Sequence, residues 1–393
     1  MAHEYIATAT ELKSWLDDSL DDRWLAIDTE FISECRSESQ LCLIQVAGPR
    51  GLALIDPIAI EDLTPFWKRL CHPGTMILVH ACRCEMDFCW RAVGQIPENV
   101  FDIQLASGFV SSDYPASFKL LGERLLHADF AKQESRTRWN RRPLSALQVE
   151  YALGDVRYLN EMAIALREKL VATGRLAWFR EEMKEYLLGL ANAFSQDPWA
   201  GFRGLKNLTR RELAIVREVW NWRREHSLKT NSPPRRILRD DLIVELARRQ
   251  SDDPLRIEAV RGLGALKKYY GELAAAINRG LNCPTELLPE LTDTASLPQY
   301  TTVSQFLMTA LAGFAHEHNI ANSLLVSGQD IREYIAYTSG HFHPEHKPRL
   351  LRSWRAELVG PFLRELLNGH HALVIRKQEG ELVVRPVSSE KFR

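Results

Sequence analysis

Trp24-Leu-Ala-Ile-Asp-Thr-Glu-Phe31 is an apolar run of strand length that carries two acids near its end. Successive strand side chains alternate between faces, so residues two apart share one. Asp28 and Glu30 therefore point the same way. Two adjacent carboxylates repel unless something cationic neutralises them, and a hard divalent ion with oxygen ligands, Mg²⁺ or Mn²⁺, does so. The stretch predicts a strand that presents a metal-ligating pair. Taken alone, it also fits a strand end with two solvated acids.

Further along, Tyr151 and Asp155 fall in a stretch from 146 to 170 whose apolar residues recur at helical spacing, without Pro and with Gly154 as its one Gly. Residues at i and i+4 lie on one helix face, so the phenol and the carboxylate can share a target. The plainer alternative is a capping or salt-bridged Asp. Between the two pairs the chain predicts hairpin strands at 40–47 and 51–56 and a strand at 76–80 that ends in His80. Glu85 follows five residues later, and then Phe101-Asp-Ile-Gln104. His80 reads as a hydrogen-bonded histidine, and Asp102 as the cap of the next helix or as support behind a site.

In this order the motifs resemble the ribonuclease D family of DEDD exonucleases, in the subclass with a tyrosine in the third motif. Gln40-Leu-Cys-Leu-Ile-Gln45 is similar to the family's second strand. Lys132-Gln-Glu-Ser-Arg-Thr-Arg-Trp139, followed by Arg142-Pro-Leu144, is similar to its connector before the third motif. The helical remainder resembles the family's helicase-and-RNase-D C-terminal (HRDC) modules, more loosely at the far end. The implied fold is an α/β nuclease domain, a ribonuclease H-like (DnaQ-like) mixed sheet with flanking helices, followed by α-helical HRDC-type domains.

The resemblance also implies a 3′–5′ exoribonuclease that trims structured RNA such as a tRNA precursor and releases nucleoside 5′-monophosphates. Two divalent ions about 3.5 to 4 Å apart would clamp the attacking and leaving oxygens. By resemblance Asp28 would bridge both ions, Glu30 and Asp155 would complete the one that binds the attacking water, and Glu85 would serve the other. Tyr151 would orient that water, because a phenol with a pKa near 10 is a poor base at neutral pH. One departure stands out: the family usually has Asp in the second motif, where this chain has Glu85, with Asp87 two residues later. Glu has the same charge on an arm one methylene longer and can still reach a metal, directly or through water. That departure keeps open a weakly catalytic nucleic-acid-binding protein, and a 3′–5′ DNA exonuclease is a further alternative.

Lys132, Arg136, Arg138 and Arg142 surround Trp139 next to the third motif. Arg forks suit phosphate oxygens and an aromatic can stack a base, so these five are candidate substrate contacts, although a basic run is commonly a solvated face. From 205 to 280 there are 17 Lys or Arg against 10 Asp or Glu, in a chain whose net charge is −1. That basic helical segment fits a grip on phosphates.

Pro- and Gly-rich breaks divide the 393 residues into an exonuclease domain over 1–195, a first HRDC domain over 203–283, and a second HRDC-like domain over 299–393 that ends in a hairpin around Gly380. The first two are expected to be joined by a helix from Trp178 to Phe194. No apolar run reaches the length of a membrane span, and the seven cysteines form no C-x2-C pairs. A cytoplasmic monomer is the expectation. Zinc at Cys82, Cys84 and Cys89 fits poorly, and His341, His343 and His346 read as a solvated loop.

Overall fold

The computed structural model describes residues 3–32, 39–127, 137–196, 198–202, 204–289, 301–340, 347–378 and 381–389. Lys132, Arg136, His341, His343 and His346 lie outside them.

One mixed sheet organises the first domain. Its strands are β1 (His3–Ile6), β2 (Trp24–Ile32), β3 (Gln40–Gly48), β4 (Gly51–Ile55), β5 (Met76–Val79) and β6 (Val100–Asp102), in the order β1-β4-β3-β2-β5-β6. β2, β3 and β4 form an antiparallel meander, β1 runs parallel to β4, and β5 and β6 extend the other side in parallel with β2. Asp28 stands opposite Gln45 and Glu30 opposite Leu43, with a bulge after Glu30. β5 pairs with β2 only from Trp24 to Ala26. Past Ala26 that side of β2 has no ladder partner, so Asp28, Thr29 and Glu30 border a gap at the carboxyl end of a parallel strand, a common place for a ligand crevice.

Helices α1 (Ala9–Asp18), α2 (Thr64–Leu70), α3 (Arg83–Val93), α4 (Ile103–Ser107), α5 (Phe118–Leu126), α6 (Ala146–Arg157), α7 (Leu159–Ala172) and α8 (Leu176–Ser195) complete the domain. The stretch expected as one helix over 146–170 is two. Tyr158 leaves helical geometry at φ −110° and ψ 3°, and each half has its own partners: α6 packs on β2, β3 and β4, α7 on α4, α5 and β5. Ser145 starts α6 with a capping box closed by Gln148.

The middle module consists of α9 (Arg210–Thr230), α10 (Pro234–Ile237), α11 (Asp240–Arg249), α12 (Pro254–Glu258) and α13 (Tyr270–Leu281). It has its own core, built around Leu213, Val219, Ile243, Leu263 and Ile277. α9 and α13 cross so closely that a Cβ on Gly280 would stand 2.6 Å from the Ile215 Cα. Only glycine fits there.

The last segment behaves differently. Its helices α14 (Thr301–Glu317), α15 (Asn322–Leu325), α16 (Gly328–Thr338) and α17 (Ser353–Leu367) precede the hairpin β7 (His371–Gln378) and β8 (Glu381–Ser388). Leu307, Leu325, Trp354 and Phe362 belong to the same buried cluster as Ile27, Phe109 and Phe179 of the nuclease domain. Among the described residues no helix is long and apolar enough to cross a membrane.

An ion pair fastens this segment to α8. Arg355, with none of its surface exposed, donates to both Glu182 oxygens at 2.6 and 2.9 Å and to the Leu324 and Leu325 carbonyls. Trp354 Nε1 and Arg349 Nη2 donate to the same carboxylate at 2.9 and 2.6 Å. Burial alone would raise the Glu182 pKa, but these donors hold it below its ordinary value. Removing one partner leaves a buried charge uncompensated, which costs far more than the intact pair contributes. Arg355→Ala should therefore lower the urea unfolding free energy by about 3 to 5 kcal/mol. A loss under about 0.5 kcal/mol would show that the pair does not fasten the segment.

Candidate active site

Three of the expected acids converge. Asp28, Glu30 and Asp155 each offer a carboxylate oxygen, and these oxygens lie within 4.8 Å of one another. The strand alternation that puts Asp28 and Glu30 on one face of β2 aims both at the last turn of α6, which carries Asp155. Glu85, in the first turn of α3, lies outside that tight group but close enough that its charge acts on Glu30. It is 5% exposed, and its Oε1 accepts a hydrogen bond from the Thr29 hydroxyl at 2.7 Å. Thr29, between the two β2 acids, alternates to the other face and there meets α3. Asp87 instead pairs with Arg91 at 2.8 Å, on another part of the α3 surface.

The turn that delivers Glu85 is held by Asp102. Its carboxylate, 3% exposed, accepts from the Ala81 and Cys82 amides at 3.0 and 2.9 Å, and from the Gln104 and Leu105 amides at 2.9 and 3.3 Å. It therefore caps α4 and ties that cap to the start of α3, so both readings of Asp102 hold. Ala81 lies in the left-handed region at φ 62°, a conformation that a non-glycine residue keeps only when its surroundings impose it. His80 is half-buried, with Nε2 2.9 Å from the Ala116 carbonyl.

The electrostatics of the four acids share one pattern. Burial is the largest cause for each, raising Asp28 to about 6, Glu85 and Asp155 to about 8, and Glu30 to about 9. The Asp28 charge raises the other three further, and a hydrogen bond from Tyr151 offsets part of the rise at Asp155. Among the described residues, no Lys or Arg forms an ion pair with any of them. Clustered, largely shielded oxygen donors without a side-chain counter-charge fit a hard divalent cation such as Mg²⁺ or Mn²⁺.

Tyr151 borders a cleft of about 210 Å³ with Asp28, Asp155, His80, Phe118 and Leu159. Burial first, then the charges of Asp155, Glu30 and Asp28, push its phenol well above the ordinary value. It stays protonated at neutral pH and acts as a hydrogen-bond donor.

The connector residues lie elsewhere than the sequence suggested, and two substrate assignments are corrected. Trp139 is 2% exposed, and its ring lies 5.7 Å from that of Tyr151. It buttresses Tyr151 from behind and has no face free for a base. Arg142 is committed to Asp56, donating to its two oxygens at 2.5 and 2.6 Å, and to the Cys42 and Trp139 carbonyls at 2.6 and 2.8 Å. It pins the connector to the sheet. Arg138 alone of the five is described and exposed. The supporting roles of Thr29 and Asp56 carried no signal in the sequence, since both depend on partners more than 50 positions away.

Acids placed in this way on a mixed sheet define a 3′–5′ exonuclease domain. A family model described as a 3′–5′ exonuclease matches residues 3–171, and an HRDC domain model matches residues 212–277. The ribonuclease D of Granulibacter bethesdensis is 30% identical over 370 residues, 92% of this chain and 91% of its own length. That of Nitrobacter hamburgensis is 29% identical over 380 residues, covering 95% and 97%. Among solved structures, Escherichia coli RNase D, an exoribonuclease involved in structured RNA processing, shares the fold with a TM-score of 0.77 and 24% identity, over 94% of this chain and 100% of that one. The chain belongs to the ribonuclease D family and is a 3′–5′ exoribonuclease.

The raised carboxylates give the metal-free protein a definite pH dependence. Between the ordinary values of 3.8 to 4.5 and the raised ones of about 6 to 9, the folded state binds more protons than the unfolded chain. Stability from these groups is thus full below about pH 4 and lost as pH rises through 6 to 9. In EDTA the melting temperature should fall across that upper range, and Glu30→Gln should flatten the fall. A Glu30→Gln protein with an undiminished slope would show that Glu30 does not hold a proton there.

Proposed function

We propose that this exoribonuclease trims the 3′ end of structured RNA, tRNA precursors among them, with two divalent ions held by Asp28, Glu30, Glu85 and Asp155. The observation that carries the reading is the convergence of half-buried Asp28, Glu30 and Asp155, with buried Glu85 beside them and, among the described residues, no side-chain cation paired with any of the four. When bound, the ions supply the missing positive charge, lower the pKa of water and offset the charge that builds on the phosphoryl oxygens.

The chain's own residues do the rest. Asp28 would serve both ions, since it lies close enough to each of the other three acids for its charge to act on them. Glu30 and Asp155 would help hold one of the ions. Glu85, oriented through one oxygen by Thr29, would help hold the second ion in place of the usual Asp. Tyr151, backed by Trp139, presents its hydroxyl into the cleft and orients the attacking water by a hydrogen bond. Arg138 contacts the RNA, and the middle module, with its excess of Lys and Arg, holds the body of the RNA by its phosphates. A monomer suffices for this arrangement, since every proposed ligand comes from one chain.

The test is digestion of a 3′-extended tRNA and a matched single-stranded DNA with Mn²⁺, Mg²⁺ or EDTA. Stepwise metal-dependent shortening of the RNA should be abolished by Asp28→Asn and by Glu85→Gln. Tyr151→Phe should lower kcat by roughly 10²-fold while leaving Mn²⁺ affinity in place. Full activity in Glu85→Gln would remove Glu85 from the site, and near-normal turnover in Tyr151→Phe would remove the water-orienting role.

A further inference from the structure

A second cleft, of about 240 Å³, opens beside the same carboxylates and shares no lining residue with the Tyr151 cleft. Its walls lie next to the site on the α3 side of β2: Phe31 follows Glu30 and turns to the face of Thr29, where α3 carries Cys84 beside Glu85. Phe88, 7% exposed, meets the Phe31 ring edge-on with centroids 5.6 Å apart. Phe194, at the end of α8, also lines the cleft.

Cations border these rings. Arg83 is exposed, lies over Phe194 at 5.9 Å, and has no carboxylate partner among the described residues. Arg91 lies over Phe88 at 4.5 Å and is paired with Asp87 at 2.8 Å. Half-buried aromatic walls with an uncommitted guanidinium at the rim suit a nucleobase and the phosphate next to it. Among the described residues, the one carboxylate lining this cleft, that of Asp87, is occupied by Arg91. Stacking on rings tolerates any base, and among the described residues the lining adds one small hydroxyl, that of Ser39.

We propose that this cleft is a nucleobase subsite: one base of the bound RNA, beside the reacting phosphate, stacks on Phe31 and Phe194 while Arg83 takes an adjacent phosphate. The proposal rests on the exoribonuclease reading and adds to it where the strand's bases lie. Stacking on an aromatic side chain is worth about 1 to 3 kcal/mol per base, so loss of one wall weakens binding by about tenfold or more.

Single-stranded oligoribonucleotides carrying 2-aminopurine at each of the last four positions test this on Asp28→Asn protein, in which cutting is expected to be abolished and binding is checked first by a gel shift. Fluorescence should be quenched on binding at one or two positions, and that quenching should be lost in Phe194→Leu. Arg83→Gln should weaken affinity and its salt dependence while leaving the quenching. In protein that retains Asp28, Phe194→Leu should raise KM about tenfold with kcat within about threefold, and an unchanged melting temperature would confirm its fold. If no position's quenching depends on Phe194, and KM is unchanged in both variants while RNA is still shortened, the subsite is wrong and the exoribonuclease stands. If RNA is not shortened with either metal, the activity itself fails, and the fluorescence then decides the subsite alone.

Discussion

Negative charge concentrated in one half-buried cluster is the constraint on which the rest of this structure depends. Asp28, Glu30 and Asp155 bring oxygens within 4.8 Å of one another. At an effective dielectric constant near 20, two such like charges repel by about 3 kcal/mol. Three pairs approach the whole stability of an ordinary domain, about 5 to 15 kcal/mol. The acids therefore cannot all ionise on their own. They hold protons or they hold cations, and that choice couples metal, pH and stability in one site.

Holding such groups together requires rigid supports from several directions, and the fold supplies them through buried polar contacts. β2 fixes two acids by its register with β3. Asp102 locks the turn that starts α3, and Thr29 fixes the Glu85 carboxylate from β2 itself. On the other face, the Arg142–Asp56 pair and the buried Trp139 anchor the connector under α6, so that Tyr151 and Asp155 meet the strand acids. The C-terminal helices, clamped by Arg355 to Glu182 on α8, add to the core behind this frame.

Local periodicity made much of this legible. Strand alternation placed Asp28 and Glu30 on one face, and helical spacing placed Tyr151 with Asp155. The basic stretch over 205–280 is helical as expected, and the β-branched runs around Gly380 form the hairpin β7–β8. What stayed hidden depends on distant partners. A basic run around a tryptophan looks like surface, yet Arg142 and Trp139 are drawn inward by Asp56 and by the underside of α6. Proline-rich linkers suggested an independent last module, whereas its apolar face joins the nuclease core. The break at Tyr158 likewise follows from two different packing surfaces, which no helical period announces.

The reading of the site turns on whether these acids are the cation site, and counting bound Mn²⁺ by electron paramagnetic resonance addresses that without relying on turnover. The account predicts two ions per chain at pH 8, fewer at pH 6 where the acids hold protons, and loss of both in Asp28→Asn. A count unaffected by Asp28→Asn would contradict it.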